Sequence, residues 1–219
     1  MTATYRLVIF DFDGTLADSF GWLRGSLNDV AVRYGFRTVD DDEVEMLRGR
    51  DTRAIIRHLG VPMRRMPLIA RHMRQRAARA ADEIRLFEGA DETLRRLADG
   101  GVMLAVVSSN GERTVRRILG PETGALISRF GCGASIFGKA AKFRRVLTCS
   151  GVAPRRVICI GDEVRDIEAA RSLGLDAGAV TWGYATADVL RAHAPTMVFE
   201  RMDEIAHRLA PAAVRAHVA

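Results

Sequence analysis

Short apolar segments alternate with longer amphipathic segments along this chain. The first apolar segment runs from Leu7 to Phe10, and similar segments lie at 102–107, 157–160 and 177–180. Short apolar runs that contain β-branched residues and end at polar or glycine-rich turns are typical of buried strands. Between them, apolar residues recur every three or four positions, which predicts helices. This alternation predicts an α/β fold, with a Rossmann-like parallel sheet covered by helices on both faces.

The pattern stays helical between the first strand and the second. Helices are predicted from Phe20 to about Phe36 and from the acidic run that begins at Asp40, since acidic residues favour a helix N-terminus. Residues 52–84 continue the helical pattern, with a break at 58–62. We therefore expect a helical insertion at residues 20–85, and a core formed by residues 1–19 and 86–219.

The second half of the chain contains weaker elements. A short strand is expected within 125–136, although its arginine and glycines make the limits uncertain, and a helix is expected to begin at Lys139. A last short strand is expected at 197–199 and a helix at 203–209. The tail after Pro211 is expected to fray.

Composition indicates an ordinary globular protein, with 48% hydrophobic and 27% charged residues. No apolar run approaches the ~20 residues that span a bilayer, and the N-terminus has no basic region followed by an apolar one. Three cysteines without a CxxC pair argue against a disulfide framework. We expect a cytoplasmic protein with no membrane partner.

The charge balance is basic, at +6, but only 6% of residues are aromatic and the arginines are scattered among acids. This pattern favours a solvated surface, and we expect no nucleic-acid partner. Lys139 and Lys142 are the only lysines among the 33 basic residues. A compact ammonium in an arginine-rich chain suggests a position that a wide guanidinium does not fit, although two lysines also arise by chance.

Polar residues follow several predicted strands at the point where each ends. Asp11 and Asp13 leave the first strand on the same side, because strand side chains alternate. Two such close carboxylates favour a bound cation or a shared proton over a simple turn. Ligands of parallel sheets bind outside the carboxyl ends of the strands. The candidate residues there are Asp11, Asp13, Ser108, Ser109, Asn110, Asp162 and Asp166.

Four segments resemble the motifs of one superfamily. DFDGTLADS at 11–19 resembles the first motif of the haloacid dehalogenase superfamily of phosphohydrolases. SSN at 108–110, FGK at 137–139 and GDEVRD at 161–166 are similar to the second, third and fourth motifs. The resemblance implies that the helical insertion is a cap domain. It also implies a phosphatase of the phosphoglycolate phosphatase type, acting on a small phosphorylated metabolite.

The resemblance also implies roles for individual residues. Asp11 is the expected nucleophile, forming an aspartyl-phosphate, and Asp13 the expected general acid and base. Ser108 and Lys139 complete the expected catalytic set, with Ser109 and Lys142 as alternatives for those two positions. The expected substrate-binding residues are Gly14, Thr15, Ser109 and Asn110, and the expected Mg²⁺ ligands are Asp11, the backbone oxygen of Asp13, Asp162 and Asp166.

Selectivity is expected to reside in the cap. Arg48 and Arg50 flank Gly49, where a helix should end, and are candidates to bind a substrate anion. A β-phosphoglucomutase-like phosphotransferase is the alternative enzyme, because the same core residues serve it. A phospho-acceptor signalling domain is the non-enzymatic alternative. We expect a monomer or a homodimer.

Overall fold

The computed structural model describes residues 5–134 and 138–210. Within these ranges the strands, in chain order, are β1 (Leu7–Asp11), β2 (Ala17–Asp18), β3 (Arg85–Leu86), β4 (Met103–Val107), β5 (Ile127–Gly131), β6 (Val157–Gly161), β7 (Asp176–Val180) and β8 (Met197–Phe199). Six of them form one parallel sheet in the order β5-β4-β1-β6-β7-β8. The predicted parallel sheet is confirmed, with β1 in its interior.

Ten α-helices lie in the described part of the chain. They are α1 (Phe20–Tyr34), α2 (Asp41–Arg48), α3 (Thr52–His58), α4 (Met66–Arg79), α5 (Ala90–Asp99), α6 (Glu112–Leu126), α7 (Lys139–Ser150), α8 (Val164–Arg171), α9 (Ala187–Ala192) and α10 (Met202–Leu209). Short 3₁₀ helices, Met63–Arg65 and Pro154–Arg156, precede α4 and β6.

The sheet is buried on both faces because its side chains alternate between two apolar clusters. Val8 and Phe10 of β1 join one cluster with residues of α5, α6 and α10. Leu7 and Ile9 join the other, which contains residues of α7, α8 and α9. Strands that are covered on both sides have no polar face, which explains why their sequences are continuous apolar runs.

The helices α1 to α4 are inserted between β2 and β3, which pair antiparallel with Ala17 opposite Leu86 and Asp18 opposite Arg85. This two-stranded ribbon, absent from the sequence prediction, brings both ends of the insertion together. The inserted helices have small apolar clusters of their own, one built around Leu47 and another around Ile69. We call residues 20–85 the cap segment.

The structure sharpens several predicted boundaries. The helical pattern at 52–84 is two helices separated by a 3₁₀ turn, and within the described residues 125–134 the uncertain strand is β5. Within α6 the helix breaks at Gly120, which has a φ of 75° and directly precedes Pro121. The remainder of the predicted strand, at 135–136, Phe137 of the FGK segment and the tail after Pro211 lie outside the described residues. None of the helices in the described ranges is both long and apolar enough to cross a bilayer.

Candidate active site

Three neighbouring strands carry the polar motifs to one edge of the sheet. β1 lies between β4 and β6. Asp11 ends β1, Ser108 follows β4, and Asp162 follows β6, so their side chains converge where the three strands end. Motifs that lie far apart in the sequence are thus brought together because their strands are neighbours in the sheet.

The centre of the site is a cluster of three carboxylates. Oxygens of Asp11, Asp162 and Asp166 all lie within 4.8 Å of one another, and all three residues are buried. Asp162 accepts hydrogen bonds from Thr15 Oγ1 and from the Tyr184 N–H, each at 2.8 Å. Burial, together with the neighbouring acids, raises the pKa of Asp162 well above its usual range. Hard oxygen donors in such a group are the ligand set that Mg²⁺ prefers, so these residues fit that ion.

Two glycines make room for the carboxylates. A Cβ on Gly161 would lie 2.3 Å from Cγ of Asp166. A Cβ on Gly14 would lie 2.2 Å from Oδ2 of Asp162, and the φ of Gly14 is +76°, in the region that favours glycine. The glycines of the first and fourth motifs therefore have a steric role, which leaves only main-chain atoms of Gly14 for substrate.

The two lysines have different environments. Lys139, at the start of α7, is buried, with Nζ 2.6 Å from Oδ2 of Asp11 and also in contact with Asp166. Burial disfavours its charged form, but those two carboxylates outweigh that cost and hold its pKa above the usual range. Lys142 instead donates to the backbone carbonyls of Ser108 and Gly133, each at 2.6 Å, and burial lowers its pKa to about 8. The ammonium beside the carboxylates belongs to Lys139.

Asp13 lies beside the cluster and is held by the second motif. The Ser108 hydroxyl donates to Oδ2 at 3.2 Å, and Nδ2 of Asn110 donates to both carboxylate oxygens at 3.0 Å. Burial, followed by the nearby Asp11 carboxylate, raises the pKa of Asp13 to about 6. Ser109 is exposed and makes none of these contacts. The structure thus places Ser108, rather than Ser109, against the carboxylates.

A sequence model of haloacid dehalogenase-like hydrolases matches residues 8–180. The chain belongs to this family. It is 32% identical over 202 residues to a phosphoglycolate phosphatase of Synechococcus elongatus, covering 91% of this chain and 95% of that protein. It is also 30% identical to the tyrosine-protein kinase PtkA of Mycobacterium tuberculosis, over 88% of this chain and 68% of that protein.

Solved structures share the haloacid dehalogenase-like fold. A family hydrolase from Streptococcus pneumoniae superposes with a TM-score of 0.76 at 20% identity, covering 92% of this chain and 97% of that one. CbbY from Rhodobacter sphaeroides, solved in complex with phosphate, superposes with a TM-score of 0.72 at 20% identity, covering 94% and 99%. The protein is therefore a haloacid dehalogenase-like hydrolase that resembles phosphoglycolate phosphatases in sequence.

In this haloacid dehalogenase-like chain, the cap segment covers a cavity of about 350 Å³ beside the site. Asp13, Ser109 and Asn110 line its floor, and Arg48 and Arg50 lie in its wall. Arg48 donates to the main-chain oxygens of Tyr184 and Gly183, each at 3.0 Å, and pairs with Glu45. Arg50 is exposed, and its guanidinium has no hydrogen bond or ion pair to any described residue. The Arg50 guanidinium is therefore available to bind an anion that enters the cavity, whereas the Arg48 guanidinium is already bound to protein oxygens.

Two further residues meet the site although the sequence did not single them out. Arg165, in the fourth motif, lines the small cleft over Asp11 with Ser108 and Lys139, and its buried Nε has no hydrogen-bond partner among the described residues. Its place inside GDEVRD was the available signal. Tyr184 lies in a loop after β7 that carries no motif. Its main-chain N–H donates a hydrogen bond to Asp162, and its hydroxyl lies 2.8 Å from the hydroxyl of Ser19.

Proposed function

We propose that this protein is a magnesium-dependent phosphatase that hydrolyses a small phosphomonoester through an aspartyl-phosphate on Asp11. The observation that carries the proposal is the grouping of three parts: a buried carboxylate nucleophile, an adjacent ammonium from Lys139, and a second carboxyl, Asp13, held within reach by Ser108 and Asn110. Phosphoryl transfer requires a positioned nucleophile, positive charge and a proton for the leaving oxygen.

In the first step, an Asp11 carboxylate oxygen attacks phosphorus while the bond from phosphorus to the ester oxygen breaks. Protonated Asp13 gives its proton to the departing alkoxide, and its raised pKa helps it to carry that proton. In the second step, Asp13 takes a proton from a water molecule that attacks the phosphorus. Inorganic phosphate leaves, and Asp11 returns to its carboxylate form.

Positive charge is needed because the nucleophile and the substrate are both anionic. The carboxylates of Asp11, Asp162 and Asp166, with the backbone oxygen of Asp13, would hold Mg²⁺. When bound, the ion neutralises charge on the phosphoryl oxygens. Lys139 supplies a fixed cation within the same cluster, against Asp11 and Asp166, and Arg165 lines the cleft over Asp11.

The substrate is proposed to be a small phosphorylated metabolite. Phosphoglycolate is the reference substrate for comparison, because the Synechococcus relative is named for it. We propose that residues 20–85 act as a cap domain over residues 1–19 and 86–219, and that Gly14, Thr15, Ser109 and Asn110 surround the phosphoryl group. Arg50, with Arg48 beside it, would meet an anion on the leaving group. Cytoplasmic location and a monomeric or dimeric state stay predictions.

The test is phosphate release from a panel of phosphorylated metabolites, with Mg²⁺ present and with it removed by a chelator. Asp11→Asn should reduce release to background, since it removes both the nucleophile and a metal ligand. Asp18→Asn is the matched control, because Asp18 is an exposed carboxylate of the same motif. Near wild-type turnover by folded Asp11→Asn would contradict the mechanism. Transfer of the phosphoryl group to a second sugar phosphate, without phosphate release, would favour the phosphotransferase alternative.

A further inference from the structure

The cavity under the cap segment is where the alcohol part of a substrate must lie. Asp13, the proposed proton donor to the leaving oxygen, forms part of the cavity floor together with Asn110. The separate cleft over Asp11 is much smaller, about 10 Å³, and is lined by Lys139 and Arg165. A phosphoryl group at Asp11 therefore directs its ester oxygen toward Asp13, and the rest of the molecule into the larger cavity.

The cap side of this cavity is mainly apolar. Its volume of about 350 Å³ falls within the roughly 300–1,000 Å³ of sites that hold drug-sized ligands. A two-carbon acid would occupy only a small part of that space. The apolar wall is formed by helices α1, α3 and α4, through Trp22, Leu23, Ile55, Met66, Ile69 and Met73.

The cavity persists although the cap segment is docked on the core. Thr52 donates to Glu163 at 2.8 Å, and the Thr186 N–H donates to the Arg48 carbonyl at 3.1 Å. The polar residues Arg48, Asp51 and Thr52 in the wall are thus engaged, Asp51 by capping α3. Among the wall residues, the surface left for a ligand is apolar apart from a few arginines. Apolar surface of this kind is stabilised when a ligand displaces water from it.

We propose that the preferred substrate is a phosphomonoester of an alcohol whose apolar body is longer than two carbons and packs against the inner face of α1, α3 and α4. The inference rests on the proposed phosphatase reaction. It differs in substrate from the relatives named for phosphoglycolate, whose leaving group is a two-carbon acid. An anionic group at the far end of the alcohol is compatible with it, because Arg50 lies in the same wall.

The test is a homologous series of ethyl, butyl and hexyl phosphate with the full-length protein and Mg²⁺. These alcohols have similar acidity, so their bond cleavage is equally demanding and differences in kcat/KM report contact with the chain. Full burial of a methylene increases kcat/KM by about fourfold. We expect a rise of about twofold to fourfold per methylene as the chain lengthens.

A pair of matched variants locates the contact. Met66→Gln places an amide of similar length in the apolar wall and should flatten the dependence of kcat/KM on chain length. Met63→Gln is the control, since Met63 belongs to the preceding 3₁₀ turn, is 57% exposed and is absent from the cavity wall. Its dependence on chain length should equal that of the wild type.

A flat or falling kcat/KM across the series, with ethyl phosphate hydrolysed, would overturn this inference and leave the phosphatase proposal intact. Phosphoglycolate cleaved faster than every longer ester would also overturn it. An unchanged slope in Met66→Gln would refute the assignment to this wall. Failure to hydrolyse any ester, including p-nitrophenyl phosphate, would instead refute the proposed function on which the inference rests.

Discussion

Replacing Lys139 with methionine should lower the free energy of unfolding and the rate of phosphoryl transfer more than the same change at Lys142. The two lysines nevertheless lie only three residues apart in α7. Lys139 is buried and contacts Asp11 and Asp166, so its ammonium is a cation inside a group of three acids. Lys142 contacts no carboxylate and bonds only main-chain oxygens among the described residues. The two variants therefore remove the same charge from different electrostatic surroundings.

The distances in the structure give the size of the expected loss of folding stability. At 2.6 Å from Asp11, the attraction of the ammonium is ~6 kcal/mol with an effective dielectric constant near 20. The carboxylates can take up protons when the cation is lost, so the net cost should fall to the 3–5 kcal/mol typical of breaking a buried ion pair. Lys142→Met leaves two carbonyls without a donor, which should cost about 1–3 kcal/mol.

The assay is urea unfolding followed by circular dichroism at neutral pH, with and without Mg²⁺. In Lys139→Met the ion should bind at least about tenfold more tightly, because no ammonium repels it, which adds about 1.4 kcal/mol to its stabilising effect. The effect of Mg²⁺ on Lys142→Met should match that on the wild type. Single-turnover phosphoryl transfer should fall by roughly 10²–10³-fold in Lys139→Met alone, the range seen when one charge-stabilising group is lost.

Three results would refute this reasoning. Unfolding of Lys139→Met without Mg²⁺ at the wild-type midpoint would show that the ammonium does not offset the acids. An unchanged response to Mg²⁺ would show that the ammonium and the ion do not share the cluster. Loss of phosphoryl transfer in Lys142→Met, with activity retained in Lys139→Met, would exchange the two assignments.

Two other predictions concern the leaving group and the cap segment. Asp13→Asn should slow single-turnover cleavage of an alkyl phosphate by roughly 10²–10⁴-fold. Cleavage of p-nitrophenyl phosphate should slow much less, because a nitrophenolate leaves without a proton. Equal slowing of both reactions would show that Asp13 is not the acid. Arg50→Ala should raise KM for a carboxylated phosphate ester more than KM for p-nitrophenyl phosphate. Arg48→Ala should raise KM for both substrates, because it removes the hydrogen bonds of Arg48 to the core. Equal effects of Arg50→Ala on the two substrates would exclude anion binding at Arg50.

The sequence by itself determined the fold class and the elements that carry the motifs. Apolar runs such as 7–10 and 157–160 have no polar positions because the sheet is covered on both faces, and this signal is local to each run. The polar residues after them could be assigned to one edge of the sheet, because the carboxyl ends of parallel strands meet there. Asp11 and Asp162 were expected together for that reason alone.

Tertiary structure alone decided which of two neighbouring candidates meets the carboxylates. The sequence favoured Ser108, directly after its strand, and left Ser109 as an alternative; in the structure only Ser108 donates to Asp13. The sequence likewise favoured Lys139 over Lys142, and the partners of the two lysines are set by how α7 packs against β4, β5 and α8.

Tyr184 and the engaged state of Arg48 could not be read from local patterns, because their contacts join a loop after β7 to Asp162 and to the cap segment. Hydrogen bonds between segments far apart in the chain arise from strand order and helix docking, which periodicity does not encode. The apolar cavity has the same origin, since α1, α3 and α4 each contribute part of a wall that exists only once they pack together over the sheet edge.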